Sequence, residues 1–314
     1  MVSLDRILVH PIKSLDAAAV QTATIERNGV LSWDRRYAIV ERADDPSSNR
    51  SDGTGAITTS ATGRPNGTPE TVGDYVNGKR EPAIHQLRAT YDLERETVTL
   101  SDTGSAQHDE SGSLRSDQSE TDSTTDGQTF HLELDREHLS EWLSEYVGYP
   151  VELVRNDAGG FPDDTDASGP TVISQATLES VADWYPEIDA AEMCRRLRPN
   201  LVLGDAPAFW EDRLYETPGH AVAFDIGGVE LSGINPCQRC VVPTRDPDTG
   251  EETDGFRETF VEQRERTLPE WAGEAWFDHY FRLMVNTKVP ESSWGETLEA
   301  GAAVSIGESY ELAQ

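Results

Sequence analysis

Lysine is nearly missing from this chain. Only Lys13, Lys79 and Lys288 stand among 26 basic residues, so almost all the positive charge is arginine. Cysteine is equally scarce, with Cys194, Cys237 and Cys240 as the whole supply. Three thiols exclude a disulfide scaffold, and they are too few for the four-cysteine ligation of an iron–sulfur cluster, so no cluster is expected within this chain. Apolar residues make up 36% of the 314 positions. No run approaches the roughly 18 apolar residues that read as a membrane span. The N-terminal MVSLDRILV lacks a basic segment followed by a long apolar one, so it reads as a first strand and not as an export signal. These absences lead to the expectation of a soluble, cytoplasmic protein without membrane contact.

Positive charge as a whole is outweighed. Against the 26 bases stand 58 acids, for a net charge of −32. Such a surface repels polyanions, which argues against nucleic acid as a partner. Acid spread along the whole chain, with little lysine, reads as adaptation to high salt, where self-repulsion is screened.

The pattern is that of a mostly β chain with a few short helices. Alternating or compact apolar stretches predict strands at 3–9, 20–27, 36–42, 86–93, 96–100 and 129–134. Two Ser/Thr/Gly/Asp-rich stretches, about 43–76 and 102–128, read as polar inserts grown from surface loops. Leu139, Trp142, Leu143 and Tyr146 recur at helical spacing, with Asp135 as the expected N-cap and Gly148 as the stop. A strand at 151–155 follows, then a Gly/Pro/Asp-rich loop at 156–170. Helices are expected at 175–184 and 189–196, and strands at 200–204, 220–225, 227–232 and 240–244. The tail at 279–287 and 302–312 is also β-like.

Three segments carry possible chemistry. Cys237-Gln238-Arg239-Cys240 is the strongest. It is compatible with half of a zinc site, a thiol–disulfide pair, two core thiols, or a single thiolate that binds a soft metal beside the charge of Arg239. A second Cys/His pair for zinc is lacking, and a β-like VVPT follows where a redox pair would open a helix. Arg195-Arg196-Leu197-Arg198-Pro199-Asn200 could present guanidinium groups to phosphate or carboxylate, or be a solvated basic cluster. The third is His10-Pro11-Ile12-Lys13-Ser14 together with Asp34-Arg35-Arg36-Tyr37, where the rare lysine hints at a role that arginine cannot fill. His10, His85 and His279 read as hydrogen-bonded structural residues. Phosphate-loop, dinucleotide, zinc-protease and nucleophile-elbow motifs are absent.

In order, HPIKSL (10–15), NGVLSWDRRYAIV (28–40), WLSEYVGYPVELVR (142–155), RPNLVL (198–203), FWED (209–212), CQRC (237–240) and DPDTG (246–250) resemble the MOSC family across nearly the whole chain. The resemblance implies a MOSC β-barrel-like domain at 131–314, preceded by a smaller β-barrel domain at 1–130. It implies a molybdenum–molybdopterin cofactor, with Cys240 as the metal ligand. Lys13, Ser14 and Arg35 would reach the cofactor from the first domain, and Arg198 and Asn200 would hold the pterin and its phosphate. Asp166 would stand near the metal in a catalytic position. Gln238 replaces a serine common between the two cysteines of the motif. The implied activity is reduction of N-hydroxylated substrates (amidoximes, hydroxylamines, N-hydroxy bases), fed by a separate electron donor such as a ferredoxin or flavin reductase. The alternative is a carrier of molybdenum cofactor or sulfur in cofactor assembly.

Overall fold

The computed structural model describes residues 1–42, 75–104, 127–272 and 274–312. Apart from their ends, the two polar inserts expected from the sequence lie outside these residues.

The chain is mostly strands with a few short helices, as its patterning implies. The first strand, β1 (Ser3–Val9), buries Leu4, Ile7 and Val9. It pairs with β2 (Ala18–Val20) on one side and with β10 (Leu201–Gly204) on the other, both antiparallel. From β10 the sheet continues through β9 (Val172–Ser174), β13 (Arg282–Lys288), β12 (Val229–Gln238), β11 (His220–Ile226) and β15 (Val304–Glu311). Bonds from Leu4 N to Ala302 O (2.8 Å) and from Val304 N to Val2 O (2.9 Å) curl the far end back toward β1. A short pair, β3 (Thr22–Thr24) with β14 (Thr297–Glu299), adds to this large unit.

The small unit pairs β4 (Tyr37–Glu41) with β8 (Val151–Arg155) and lays β5 (Leu87–Asp92), β6 (Thr97–Asp102) and β7 (Gln128–His131) side by side. Helix α1 (Arg136–Val147) turns Leu139 and Leu143 into this core. Its serines stitch it to β8: Leu153 N donates to Ser140 Oγ (3.0 Å) and Val151 N to Ser144 Oγ (2.9 Å).

Several expectations need correction. A division after residue 130 cuts through the small core, where Phe130, Leu132, Leu139, Leu143, Val151 and Leu153 pack together. The early strands β1, β2 and β3 belong to the sheets of the large unit. Asp135 does not cap α1 with its side chain; its carboxylate accepts from His131 N at 2.9 Å. The strand expected at 240–244 is absent, because β12 ends at Gln238 and Val242–Thr244 forms a helical turn. Helix α4 (Phe256–Thr267) was not anticipated. Its mainly charged sequence hides a buried stripe of Phe256, Phe260 and Arg264 at four-residue spacing. The other two helices, α2 (Gln175–Ala182) and α3 (Ala190–Leu197), lie where expected. Ser174 and Asp189 cap them, accepting from Thr177 N and Glu192 N.

Candidate functional site

A cavity of about 870 Å³ opens along the seam between the two units. Five segments bring their ends to it. The turn after β1 supplies Lys13 and Ser14, and the loop before β4 supplies Asp34 and Arg35. Loop 156–171 supplies Asp163, the turn between α3 and β10 supplies Arg198 and Asn200, and the end of β12 supplies Cys237 and Cys240. In a chain of net charge −32, this wall carries nine Lys and Arg side chains against four Asp. Two of the three lysines, Lys13 and Lys79, are among them. Attraction for an anion is therefore concentrated here and opposed nearly everywhere else.

Backbone strain gathers at the same place. Ser14 (φ 77°), Arg35 (φ 48°), Arg198 (φ 55°) and Met284 (φ 70°) all line the cavity with left-handed backbones. A non-glycine residue holds that conformation only where its surroundings over-determine it. Gly160 serves a related purpose. A Cβ there would stand 2.8 Å from Arg35 O and 2.9 Å from Asp34 O, so only glycine lets loop 156–171 lie on that backbone.

Asp34 is the hub. It is buried, and its Oδ1 accepts from His10 N (2.8 Å) and Asn200 Nδ2 (3.0 Å), while Oδ2 pairs with Arg35. Burial works against its charge, but Arg35 and then His10 outweigh that and hold its carboxyl well below the usual range. Burial, aided by Arg198, pushes His10 down to about 4, so the ring is neutral. Arg35 also reaches Asp163 (3.3 Å). Burial opposes its charge, yet Asp34 and Asp163 raise its pKa.

Lys13 places Nζ on Asp163 (2.8 Å), Phe161 O (2.9 Å) and Pro162 O (3.5 Å), with the Tyr75 ring 5.2 Å away. Three donors spreading from one ammonium suit three consecutive residues of one loop, and a flat guanidinium does not. That is a physical reason for a lysine here. Asn200 lines the cavity, but its side chain is committed inward. It donates to Leu8 O (3.1 Å) and Asp34, and accepts from Thr171 N and Oγ1 (both 3.2 Å). It positions Asp34 and the end of β1, in contrast to the cofactor contact expected of it.

Arg198 differs from its neighbours. Arg195 is held by Asp248, Arg196 by Glu192 (2.7 Å) and Pro243 O (3.1 Å), and Arg239 by Leu197 O (2.9 Å). The Arg198 side chain makes no hydrogen bond or ion pair to any described residue, although its backbone N donates to Cys194 O at 2.8 Å. Burial and then the nearby Arg35 lower its pKa, while Asp16 and Asp163 act in the opposite direction. Ser14 likewise makes no side-chain hydrogen bond among the described residues. Cys237 and Cys240 are both half-buried free thiols on the wall. Cys237 Sγ accepts from Arg239 Nη1 at 3.4 Å.

Asp166 is not part of this arrangement. It is exposed and outside the cavity lining. Asp164 Oδ1 accepts from Asp166 N (2.9 Å) and Ala167 N (3.1 Å), and that turn sends Asp166 to solvent while Asp163 and Asp164 line the wall. Sequence reasoning quoted Asp34 within its segment but gave it no role, and it missed Asp163. Asp34 sits beside the quoted Arg35, and its burial was the unread signal; Asp163 has no signal within a run of acids. His85 was read as structural. It does hold Gly78 O (3.2 Å), but it also lines the cavity. Neither ring nitrogen of His279 has a hydrogen-bond partner among the described residues.

A mostly β protein of two interlocked units, with an anion-attracting cavity and a thiol pair at the seam, is the class that fold and site define. The MOSC N-terminal beta barrel domain matches residues 1–150 and the MOSC domain matches residues 168–304, so the chain belongs to the MOSC domain family. Mitochondrial amidoxime-reducing component 1 of Danio rerio is 32% identical over 127 residues, 36% of this chain and 37% of that protein. Its Mus musculus counterpart is 35% identical over 86 residues, 27% of this chain and 22% of that protein. Mitochondrial amidoxime reducing component 2 of Bos taurus is 35% identical over 85 residues. The matched stretches thus span about a third or less of these relatives' own length.

Proposed function

We propose that this protein is a molybdenum cofactor-binding oxidoreductase that reduces N-hydroxylated compounds, with electrons from a separate donor. The observation that carries the reading is Arg198, a guanidinium without a partner among the described residues, in a cationic cavity beside two free thiols. A pterin phosphate would give the Arg198 side chain an anionic partner, and a soft metal suits a thiolate. The residues therefore fit the group. When bound, the cofactor would supply two-electron redox chemistry at the metal.

The chain's own residues bind and orient. Arg198 would donate to the phosphate, with Ser14 Oγ as a further donor. Lys13 and Arg35 fix Asp163 and loop 161–163, and Asn200 and His10 fix Asp34, which in turn holds Arg35. Cys240 would be the metal ligand, with Cys237 beside it on Arg239. The reaction is balanced as an N–OH group plus two electrons and two protons giving N–H and water. The separate donor supplies the electrons and solvent the protons. Asp166 is not given a role.

The test is elemental analysis of protein made in a cofactor-competent host with molybdate, together with an amidoxime assay using a chemical reductant. Near one molybdenum per chain and steady turnover are expected. Cys240→Ser should lose the metal, and Cys237→Ser should keep it. Arg198→Met should lower pterin content severalfold while leaving the fold intact by circular dichroism. Zinc, or no metal, would overturn the proposal. Bound molybdenum that leaves the protein instead of supporting turnover would favour the carrier reading.

A further inference from the structure

Loop 246–250 of the large unit is gripped from two sides. Arg195 on α3 gives Asp248 a forked bond, Nη1 to Oδ2 at 2.9 Å and Nη2 to Oδ1 at 2.8 Å. From the small unit, Arg88 on β5 donates Nη1 to the same Oδ1 at 2.8 Å. Further contacts seat the loop on the small unit. Gln86 Nε2 donates to Thr249 O (3.0 Å), and the Thr103 hydroxyl donates to Asp248 O (3.2 Å). Gly250 (φ +75°) lies so close that a Cβ there would stand 2.4 Å from Pro82 O.

This junction borders the cavity. Pro247 and Arg195 on one side and Ile84 and Leu87 on the other line it, whereas Asp248 itself does not. Arg88 also reaches inward, Nε to Asp16 Oδ2 at 3.3 Å, and Asp16 is part of the wall. One carboxylate therefore holds a guanidinium from each unit where the two halves of the wall meet. Its ion pairs are partly open to solvent, so salt screens them. The contact at Gly250 is steric and is not screened.

We propose that Asp248 is the positioning residue of a clasp. Loop 246–250 ties the units together at one end of the cavity, and its opening sets how fast a cofactor-sized anion enters and leaves. The loss of a cofactor would then depend on ionic strength through Asp248. This inference rests on the cofactor reading above only for the identity of the ligand.

The experiment follows pterin fluorescence as cofactor leaves the purified holoprotein, at low and high salt. Hydrogen exchange at the amides of 246, 248–250 and 86–87 is measured in parallel on protein stripped of cofactor. Asp248→Asn should release pterin about fivefold faster at low salt and lose most of the salt dependence, as expected for an exposed ion-pair network. Gly250→Ala should also release faster but keep the salt dependence, since both ion pairs remain possible. In the stripped protein, exchange in both segments should speed up in Asp248→Asn. Release from Asp248→Asn at the wild-type rate, or with the wild-type salt slope, overturns the clasp. If wild-type protein carries no pterin, the cofactor reading fails. Exchange then decides the clasp alone, and unchanged exchange in Asp248→Asn overturns it.

Discussion

His10 shows how one residue ties stability to pH. The ring is 2% exposed, with Asp34 on one side and Arg198 and Arg35 nearby. Burial first, and Arg198 second, lower it from 6.5 to about 4, against the pull of Asp34. The unfolded chain therefore binds a proton that the folded chain refuses between about pH 6.5 and 4. Stability from this group is complete above the upper value and falls as pH drops toward the lower one. The loss is on the order of 3 kcal/mol. His10→Gln should flatten the stability–pH curve in this window, read by urea unfolding at a series of pH values. Legibility at this scale was uneven. The rarity of lysine singled out Lys13, and the basic run singled out Arg198. Asn200 was named from its place in the segment, and only the three-dimensional bonds show that its amide is spent on Leu8, Asp34 and Thr171. Asp166 could not be told from Asp163 or Asp164 in a run of acids, because a single Asx turn decides which carboxylates face inward.

Between elements, the clearest energetic statement concerns α4 and the turn at Trp210–Leu214. Arg264 Nη2 donates to both carboxylate oxygens of Asp212, at 2.8 and 2.7 Å, and both residues are buried. The Phe209 and Phe277 rings cover the guanidinium, 4.8 and 5.4 Å away. Arg264→Met would leave the Asp212 carboxyl buried without its ion-pair partner, at a cost of about 3–5 kcal/mol. The double variant Asp212→Asn/Arg264→Met should recover much of that. Denaturant unfolding of the single and double variants checks both outcomes. The strands at 3–9, 86–93, 129–134 and 151–155 were legible, because each alternates or is compactly apolar. Helix α4 was not, since one of its three buried positions is an arginine whose partner lies 52 residues earlier.

For the molecule as a whole, the net charge of −32 opposes compactness, and a cationic seam partly offsets it. Added salt up to about 1 M should raise the melting temperature, because it shortens the screening length to about 3 Å. The same salt should weaken binding of an anion such as sulfate in the cavity. Differential scanning calorimetry and a titration at two ionic strengths would show the opposite signs. Composition made the acid excess plain, and motif order made the family plain. The concentration of nine cations on one wall was not legible, because they come from segments as far apart as Lys13 and Arg282.

The position of β1 has a consequence for how the chain is made. It is synthesised well before one of its two partners, β10 at 201–204, and the segment at 301–304 that covers its start comes later still. At ordinary synthesis rates of roughly 5–20 residues per second, Leu4, Ile7 and Val9 wait at least about ten seconds for that partner. The nascent chain must shelter an apolar strand for that time.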